Sequence, residues 1–193
     1  MRLLPGRSSI LILLVPLGMG FQALAAQAQP SEFKEYEVKA AFVYNFGKFV
    51  DWPVAAFAGE KAPLTIGILG QDPFGPALED LVRDGTIQNR PIQVKHFGRI
   101  EELTACHILF ISQSEKPRLA AILNQLEGRP ILTVGDTERF LRDGGIINLR
   151  LEEGQIRFDI DLDAAKRAGL KISAQLLKLA GLVRSQSAPQ ERR

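Results

Sequence analysis

The stretch HILFISQSEKPRLAAILNQLEGRPILTVGD, residues 107–136, decides the fold. It opens on the apolar run His107-Ile108-Leu109-Phe110-Ile111, the composition of a strand buried on both faces. Leu119, Ile122, Leu123 and Leu126 then recur at helical spacing over residues 114–126. Ser114 is a candidate cap for that helix and Gly128 its stop. Residues 130–134 form a second strand, turning at Gly135-Asp136. Strand, helix, strand in this order predicts a mostly parallel sheet covered by helices.

Upstream, residues 64–69 form a β-rich run closing on Gly70, and the turn-rich residues 71–75 follow. Residues 76–83 read as a short helix with Pro76 in its first turn, and residues 91–97 as a strand. Residues 32–51 predict a longer helix. Val38, Ala41, Phe42, Phe46 and Phe49 fall on one face of it, with Lys39 and Lys48 outside that stripe. Trp52-Pro53 is its expected end, because the residue before proline is driven out of the helical region.

Downstream, residues 137–141 suggest a helical turn, and a hairpin follows. Ile147, Leu149 and Leu151 alternate with polar residues, as do Ile156, Phe158 and Ile160, with Glu153-Gly154 between them. A two-residue turn sets Leu151 opposite Ile156, Leu149 opposite Phe158 and Arg150 opposite Arg157. The opposed arginines need compensation, from Glu152 and Asp159 on the diagonals or from an anion. Residues 162–168 predict a helix ending at Gly169; Lys171-Ile172 is a link. Ser173 caps a last helix whose stripe is Leu176, Leu177, Ala180 and Val183. The expected fold is a three-layer α/β sandwich. Its central sheet is mostly parallel with an antiparallel C-terminal hairpin, and helices cover both faces.

The N-terminus carries a basic segment with Arg2 and Arg7, an apolar run at residues 10–17, and the small-x-small pattern Ala23-Leu24-Ala25. These are the three parts of a cleavable signal peptide in order, and the apolar run is too short to span a bilayer. Residues 1–25 are therefore expected to be removed on export to the periplasm. Residues 26–184 would form a single domain and residues 185–193 a polar disordered tail. Of 24 Lys+Arg and 22 Asp+Glu, the leader holds two cations and no acid, so the exported chain is formally neutral. That balance argues against nucleic acid as a partner. Cys106 is the single cysteine, so no intramolecular disulfide can form.

Catalytic and metal signatures are sparse. His96 and His107 are the only histidines, and neither has a partner at metal-ligand spacing. Cys106 and His107 are strand neighbours and point to opposite faces, so they cannot act as a nucleophile pair. Neither a nucleophile elbow nor a phosphate fingerprint occurs. No enzyme, metal or cofactor is expected. Ligand candidates are Asp72 and Asp136, at the carboxyl ends of expected strands, where open α/β sheets gather ligands. Lys171 beside the Ser173-capped helix is a further candidate for a carboxylate or phosphate, against the plainer reading of a solvated lysine. Five aromatic residues lie between Phe42 and Trp52. Tyr44 and Trp52 need polar partners or an interface, so Tyr44, Phe46 and Trp52, with Leu176 and Leu179 of the last helix, are candidates for docking a protein partner.

The segment VKAAFVYNF at residues 38–46, with Lys48-Phe49 and Trp52-Pro53, resembles the opening motif of the YfiR-like periplasmic proteins. Later blocks agree in order: Ile68-Leu69-Gly70, residues 106–111, LTVGD at 132–136, GGIIN at 144–148, Phe158-Asp159-Ile160 with Ala164-Ala165, and LKIS at 170–173 with Leu176, Leu177, Leu179 and Ala180. The resemblance spans residues 37–183. It implies a periplasmic repressor that docks on the periplasmic part of an inner-membrane diguanylate cyclase, or another membrane sensor, and so controls cyclic di-GMP and biofilm. A homodimer is a further partner to consider, and a periplasmic small-molecule sensor is the alternative function. Family members often carry a cysteine in the first strand, to pair with the one matching Cys106; here that position is Gly67. Redox control by such a pair is not implied for this chain.

Overall fold

The computed structural model describes residues 30–185; the expected leader (1–25) and the tail beyond Ser185 lie outside the described residues. An eight-stranded sheet runs in the order β10-β8-β7-β6-β5-β2-β4-β3. Its strands are β2 (Leu64–Leu69), β3 (Thr86–Ile87), β4 (Arg90–Phe97), β5 (Ile108–Ile111), β6 (Leu132–Gly135), β7 (Ile147–Glu152), β8 (Gln155–Asp161) and β10 (Leu182–Arg184). Adjacent strands are parallel except at β7/β8 and β3/β4. A separate antiparallel pair joins β1 (Val50–Asp51) to β9 (Lys171–Ile172). The helices are α1 (Pro30–Phe46), α2 (Pro76–Val82), α3 (Leu119–Gln125), α4 (Leu162–Arg167) and α5 (Ala174–Leu179).

Side-chain alternation divides the core into two layers. Ile66, Ile68, Ile108, Phe110, Leu132 and Val134 meet Ala40, Val43 and Phe46 of α1, Leu78 of α2, and Ala164 and Ala165 of α4. Leu69, Leu109 and Ile111 face the other way, onto Leu119, Ile122 and Leu123 of α3. The expected three-layer sandwich is therefore present. The hairpin register is the expected one, with Leu151 opposite Ile156, Leu149 opposite Phe158 and Arg150 opposite Arg157. The charge problem is solved internally: Arg150 reaches Asp159 at 2.7 Å and Glu152 at 3.1 Å, while Arg157 donates to Gln155. The apolar face is less uniform than its pattern, since Leu151 near the turn is 55% exposed.

Several elements differ locally from the sequence reading. The first helix ends at Phe46, before a turn at Gly47, and residues 50–51 become a strand paired with Lys171 and Ile172. Side-chain periodicity continues through that turn, so it could not mark the end. The helix expected at 114–126 is a 3₁₀ segment (Gln113–Arg118) followed by α3, because Pro117 interrupts the α-helical ladder. Its cap is Ser112, which accepts from the Ser114 N–H; Ser114 instead accepts from the Gln71 N–H at 2.9 Å. Residues 137–141 turn without forming a helix. The last helix stops at Leu179, and Val183 lies in β10, which adds in parallel to β8.

His107 leads into β5 and ties the sheet to the loop before β2. Its Nδ1 accepts the Thr65 N–H at 3.0 Å, and its Nε2 lies 3.2 Å from the Ala56 carbonyl oxygen. A backbone N–H can only donate, so the ring is neutral with its proton on Nε2. The ring stacks on Phe57 at 4.2 Å between centroids, and the Trp52 indole N–H donates to the His107 carbonyl. Burial holds the His107 pKa below its ordinary value; the Ala56 carbonyl opposes this and the Arg90 charge adds to it. An unfolded chain takes up the proton near about pH 6.5, whereas the folded ring resists it. The unfolded state therefore binds more protons below that pH, and stability is lost as pH falls through about 6.5 toward the lower folded pKa. The urea midpoint of the native protein is expected to drop between about pH 7.5 and 5. His107→Asn keeps an acceptor without the titration and should show a shallower drop; equal slopes would refute the assignment.

Candidate functional site

α1 is apolar on two sides, and the sheet covers only one. Ala40, Val43 and Phe46 face the sheet and are buried. Val38, Ala41, Phe42 and Phe49, the stripe read from the sequence, instead line a groove of about 370 Å³ closed by Phe158 of β8 and by Leu176 and Leu179 of α5. The periodicity was real, but the face it marked is the groove. Phe46 belongs to both faces, and its ring lies 6.0 Å from Phe42 and 5.2 Å from Phe158. Val38 is 45% exposed and Leu179 62%. Asn45 is the one polar lining residue, and its amide is already spent on the Ala41 carbonyl.

Of the five docking candidates, the structure brings Phe46, Leu176 and Leu179 together in this groove. Tyr44 is not among its lining residues; Lys48 Nζ sits 4.4 Å above its ring, and its hydroxyl lies against Gly85 beyond α2. Trp52 is set apart from any surface. It is buried, and its indole N–H is satisfied by His107. The polar partner that Trp52 required is internal.

The carboxyl end of the sheet carries a polar cleft of about 780 Å³. Asp136, at the end of β6, is its deepest acid, with a side chain only 1% exposed. Its Oδ2 accepts from Lys39 Nζ at 2.7 Å and from the Tyr36 hydroxyl at 2.9 Å. Lys39 also pairs with Glu35 at 2.6 Å, so the lysine placed outside the helical stripe is buried at the α1–sheet junction. Asp136 Oδ1 and Thr137 Oγ1 are buried without a hydrogen-bond partner. On the far wall Asp159 grips Arg150 through two bonds of 2.7 and 3.1 Å. That grip raises the guanidinium pKa above its already high value and keeps it charged.

The four ligand candidates do not form one site. Asp136 lines the cleft, and Asp72 lies at the same end of the sheet after β2. Lys171 and Ser173 lie at the opposite pole. Lys171 is the strand neighbour of Asp51, and the adjacent Trp52 contacts His107 at the amino end of β5, whereas Asp136 closes the carboxyl end of β6. Lys171 is exposed, and the Ser173 hydroxyl accepts from the Leu176 N–H at 3.2 Å as the expected cap. Lys39 escaped the sequence reading of the ligand site because Asp136 is distant in the chain, whereas the Arg150–Asp159 pair was legible in the hairpin and only its place on the cleft wall was not.

Cys106 is buried, and desolvation pushes its thiol up to about 12. It packs with α3 on one side of the sheet, while His107 stacks on Phe57 on the other; both residues precede β5, and Cys106 shares its side with Leu109 and Ile111, so the separation is set by the lead-in to the strand rather than by its alternation. A Cβ at Gly67 would fall 2.8 Å from Cys106 Sγ, so Gly67 faces this thiol across the β2–β5 pair. His96 has partners that chain spacing concealed: its Nε2 lies 3.1 Å from Asp72 Oδ2 and 3.4 Å from Glu79 Oε1. No helix among the described residues is long and apolar enough to cross a membrane.

The YfiR/HmsC-like family pattern matches residues 36–181. The chain belongs to the YfiR/HmsC-like family. This is a family of periplasmic regulatory proteins; the groove lies within the matched span, as does the cleft apart from Glu35, Leu182 and Arg184 at its margins. None of the curated proteins matches it in sequence. A solved domain from Streptococcus pneumonia, described as an ABC domain in complex with L-Trp, is similar in fold at a TM-score of 0.50 and 10% identity. The match covers 74% of this chain and 59% of that one. A conserved domain protein from Vibrio cholerae matches at a TM-score of 0.48 and 11% identity, over 77% of this chain and 60% of that one. The chain thus spans about three-fifths of each.

The Lys39–Asp136 pair allows a direct test of the α1–sheet junction. Removing Lys39 leaves the Asp136 charge with only the Tyr36 hydroxyl, and removing Asp136 leaves Lys39 with only Glu35; breaking a buried pair costs up to about 3–5 kcal/mol. Lys39→Met and Asp136→Leu are each expected to destabilise by that order in urea unfolding, and the double variant by clearly less than their sum. Additive losses would show that the two charges are not coupled.

Proposed function

We propose that this protein is a periplasmic regulator that holds a membrane-bound signalling protein, a diguanylate cyclase, inactive by docking on its periplasmic part. The observation that supports this reading is the apolar groove between α1, α5 and β8. Val38 and Leu179 stand exposed at its rim while Phe42, Phe46 and Phe158 form its floor. A groove of this kind accepts the apolar face of a helix, with aromatic side chains as the dominant contacts. Family membership supports a regulatory role without turnover. The buried Cys106 thiol and the neutral, hydrogen-bonded His107 are both committed to structure.

The test is recovery of membrane partners from solubilised inner membrane on the tagged protein, read by mass spectrometry. A membrane protein with a diguanylate cyclase domain is the expected catch. Leu179→Glu places a charge at the exposed rim and should abolish recovery while leaving the melting curve unchanged. Retention of the same partner by Leu179→Glu and by Val38→Glu would remove the groove from the account.

The polar cleft favours a second reading, a small-molecule sensor. Asp136 Oδ1 and Thr137 Oγ1 lack partners there, and Arg142 and Arg184 line the cleft with no ion pair among the described residues. A ligand carrying both a hydrogen-bond donor and a carboxylate would satisfy these groups. Such a ligand should raise the melting temperature of the native protein in a thermal-shift screen of small amino and carboxylate compounds. The rise should shrink in Arg142→Ala; a flat screen would dismiss this reading.

A further inference from the structure

Asp72, Glu79 and His96 come from three different elements. Asp72 follows β2, Glu79 lies in the first turn of α2, and His96 is near the end of β4. Parallel pairing sets His96 beside Ile68, on the face that α2 covers. One donor atom from each residue falls within 4.8 Å of the others. The separations from His96 Nε2, 3.1 Å to Asp72 Oδ2 and 3.4 Å to Glu79 Oε1, match those between ligands around a tetrahedral zinc, about 3.3 Å for bonds of about 2.0–2.1 Å.

Two further features distinguish this group from a surface ion pair. Asp72 is held before any ligand arrives: its Oδ1 accepts the Phe74 N–H at 2.8 Å, leaving Oδ2 aimed at His96. Glu79 turns Oε1 toward His96, and its other oxygen, Oε2, is buried with no hydrogen-bond partner among the described residues, although the side chain as a whole is 38% exposed. A buried carboxylate oxygen without a donor is costly, and a bound cation relieves that cost.

We propose that Asp72, Glu79 and His96 bind one divalent transition-metal ion, with zinc the best fit among the biologically common ones. One imidazole and two carboxylates suit a borderline cation; calcium and magnesium call for six or more oxygen ligands. The side chain of His96 is 48% exposed, which leaves the fourth position to water or to an outside ligand. The ion would staple α2 to β4 and to the turn after β2. This inference does not depend on the docking groove, which uses none of these residues.

The test is calorimetric titration of zinc chloride into tag-free protein stripped with chelator, with cobalt absorption as a second readout. Binding of one zinc per chain is expected, together with a visible cobalt band of tetrahedral character. His96→Ala should weaken binding by about a hundredfold or more, because loss of a direct ligand exceeds the loss typical of an outer partner. Glu79→Gln keeps the shape of the side chain and should also weaken binding, with an unchanged far-UV spectrum showing that the fold is kept. Absence of saturable zinc binding would overturn the site and leave a plain histidine–carboxylate ion pair. So would equal affinity in His96→Ala and Glu79→Gln.

Discussion

A lysine ammonium buried on the first helix needs carboxylate partners: Glu35 on the same helix supplies one, and Asp136 at the end of β6 supplies the one that ties α1 to the sheet. That contact fixes both the position and the rotation of α1 over the sheet. Tyr36, one turn before Lys39, adds its hydroxyl to the same oxygen. With the helix pinned there, Ala40, Val43 and Phe46 descend onto Ile66, Ile108 and Val134, and the remaining apolar residues face away. The C-terminus of α1 is held independently. Val50 and Asp51 pair with β9, and the Ser173 N–H donates to the Phe49 carbonyl.

The groove follows from that rotation. A helix with apolar residues on more than one side buries one side and must leave another to a neighbour. α5 and β8 supply only partial cover. α5 ends at Leu179, and the chain leaves through Gly181 to add β10 at the sheet edge. An added Cβ at Gly181 would lie 3.2 Å from both Arg150 and Asp159, so this passage favours a residue without a side chain. The hairpin that presents Phe158 to the groove thus also carries, on its other face, the ion pair lining the polar cleft. Groove and cleft share a wall, so an event in one has a short physical route to the other.

The groups that sequence chemistry singles out first are structural here. Cys106 is sealed among apolar side chains and stays a thiol. His107 spends both ring nitrogens on the backbone of the segments around β2. The groups with unsatisfied valence are instead carboxylates and a hydroxyl at the carboxyl end of the sheet: Asp136, Thr137 and Glu79. That is the edge at which open α/β sheets concentrate binding.

The sequence by itself determined the layered α/β architecture, the strands at 64–69, 91–97 and 107–111, and the hairpin register down to Arg150 opposite Arg157. These rest on short-range periodicity and turn chemistry, which act within a few residues and so can be read locally. It also marked Phe46, Leu176 and Leu179, in one group with Tyr44 and Trp52, which the groove does not include. Only the tertiary structure decided which apolar face of α1 is core and which is groove, because both satisfy the same helical period. It alone decided that Lys39 is buried, that Trp52 has an internal partner, and that Lys171 and Asp136 lie at opposite poles. It alone brought His96 to Asp72 and Glu79, 24 and 17 positions away in the chain. Such pairings depend on strand order and helix placement, and no local pattern in the chain encodes them.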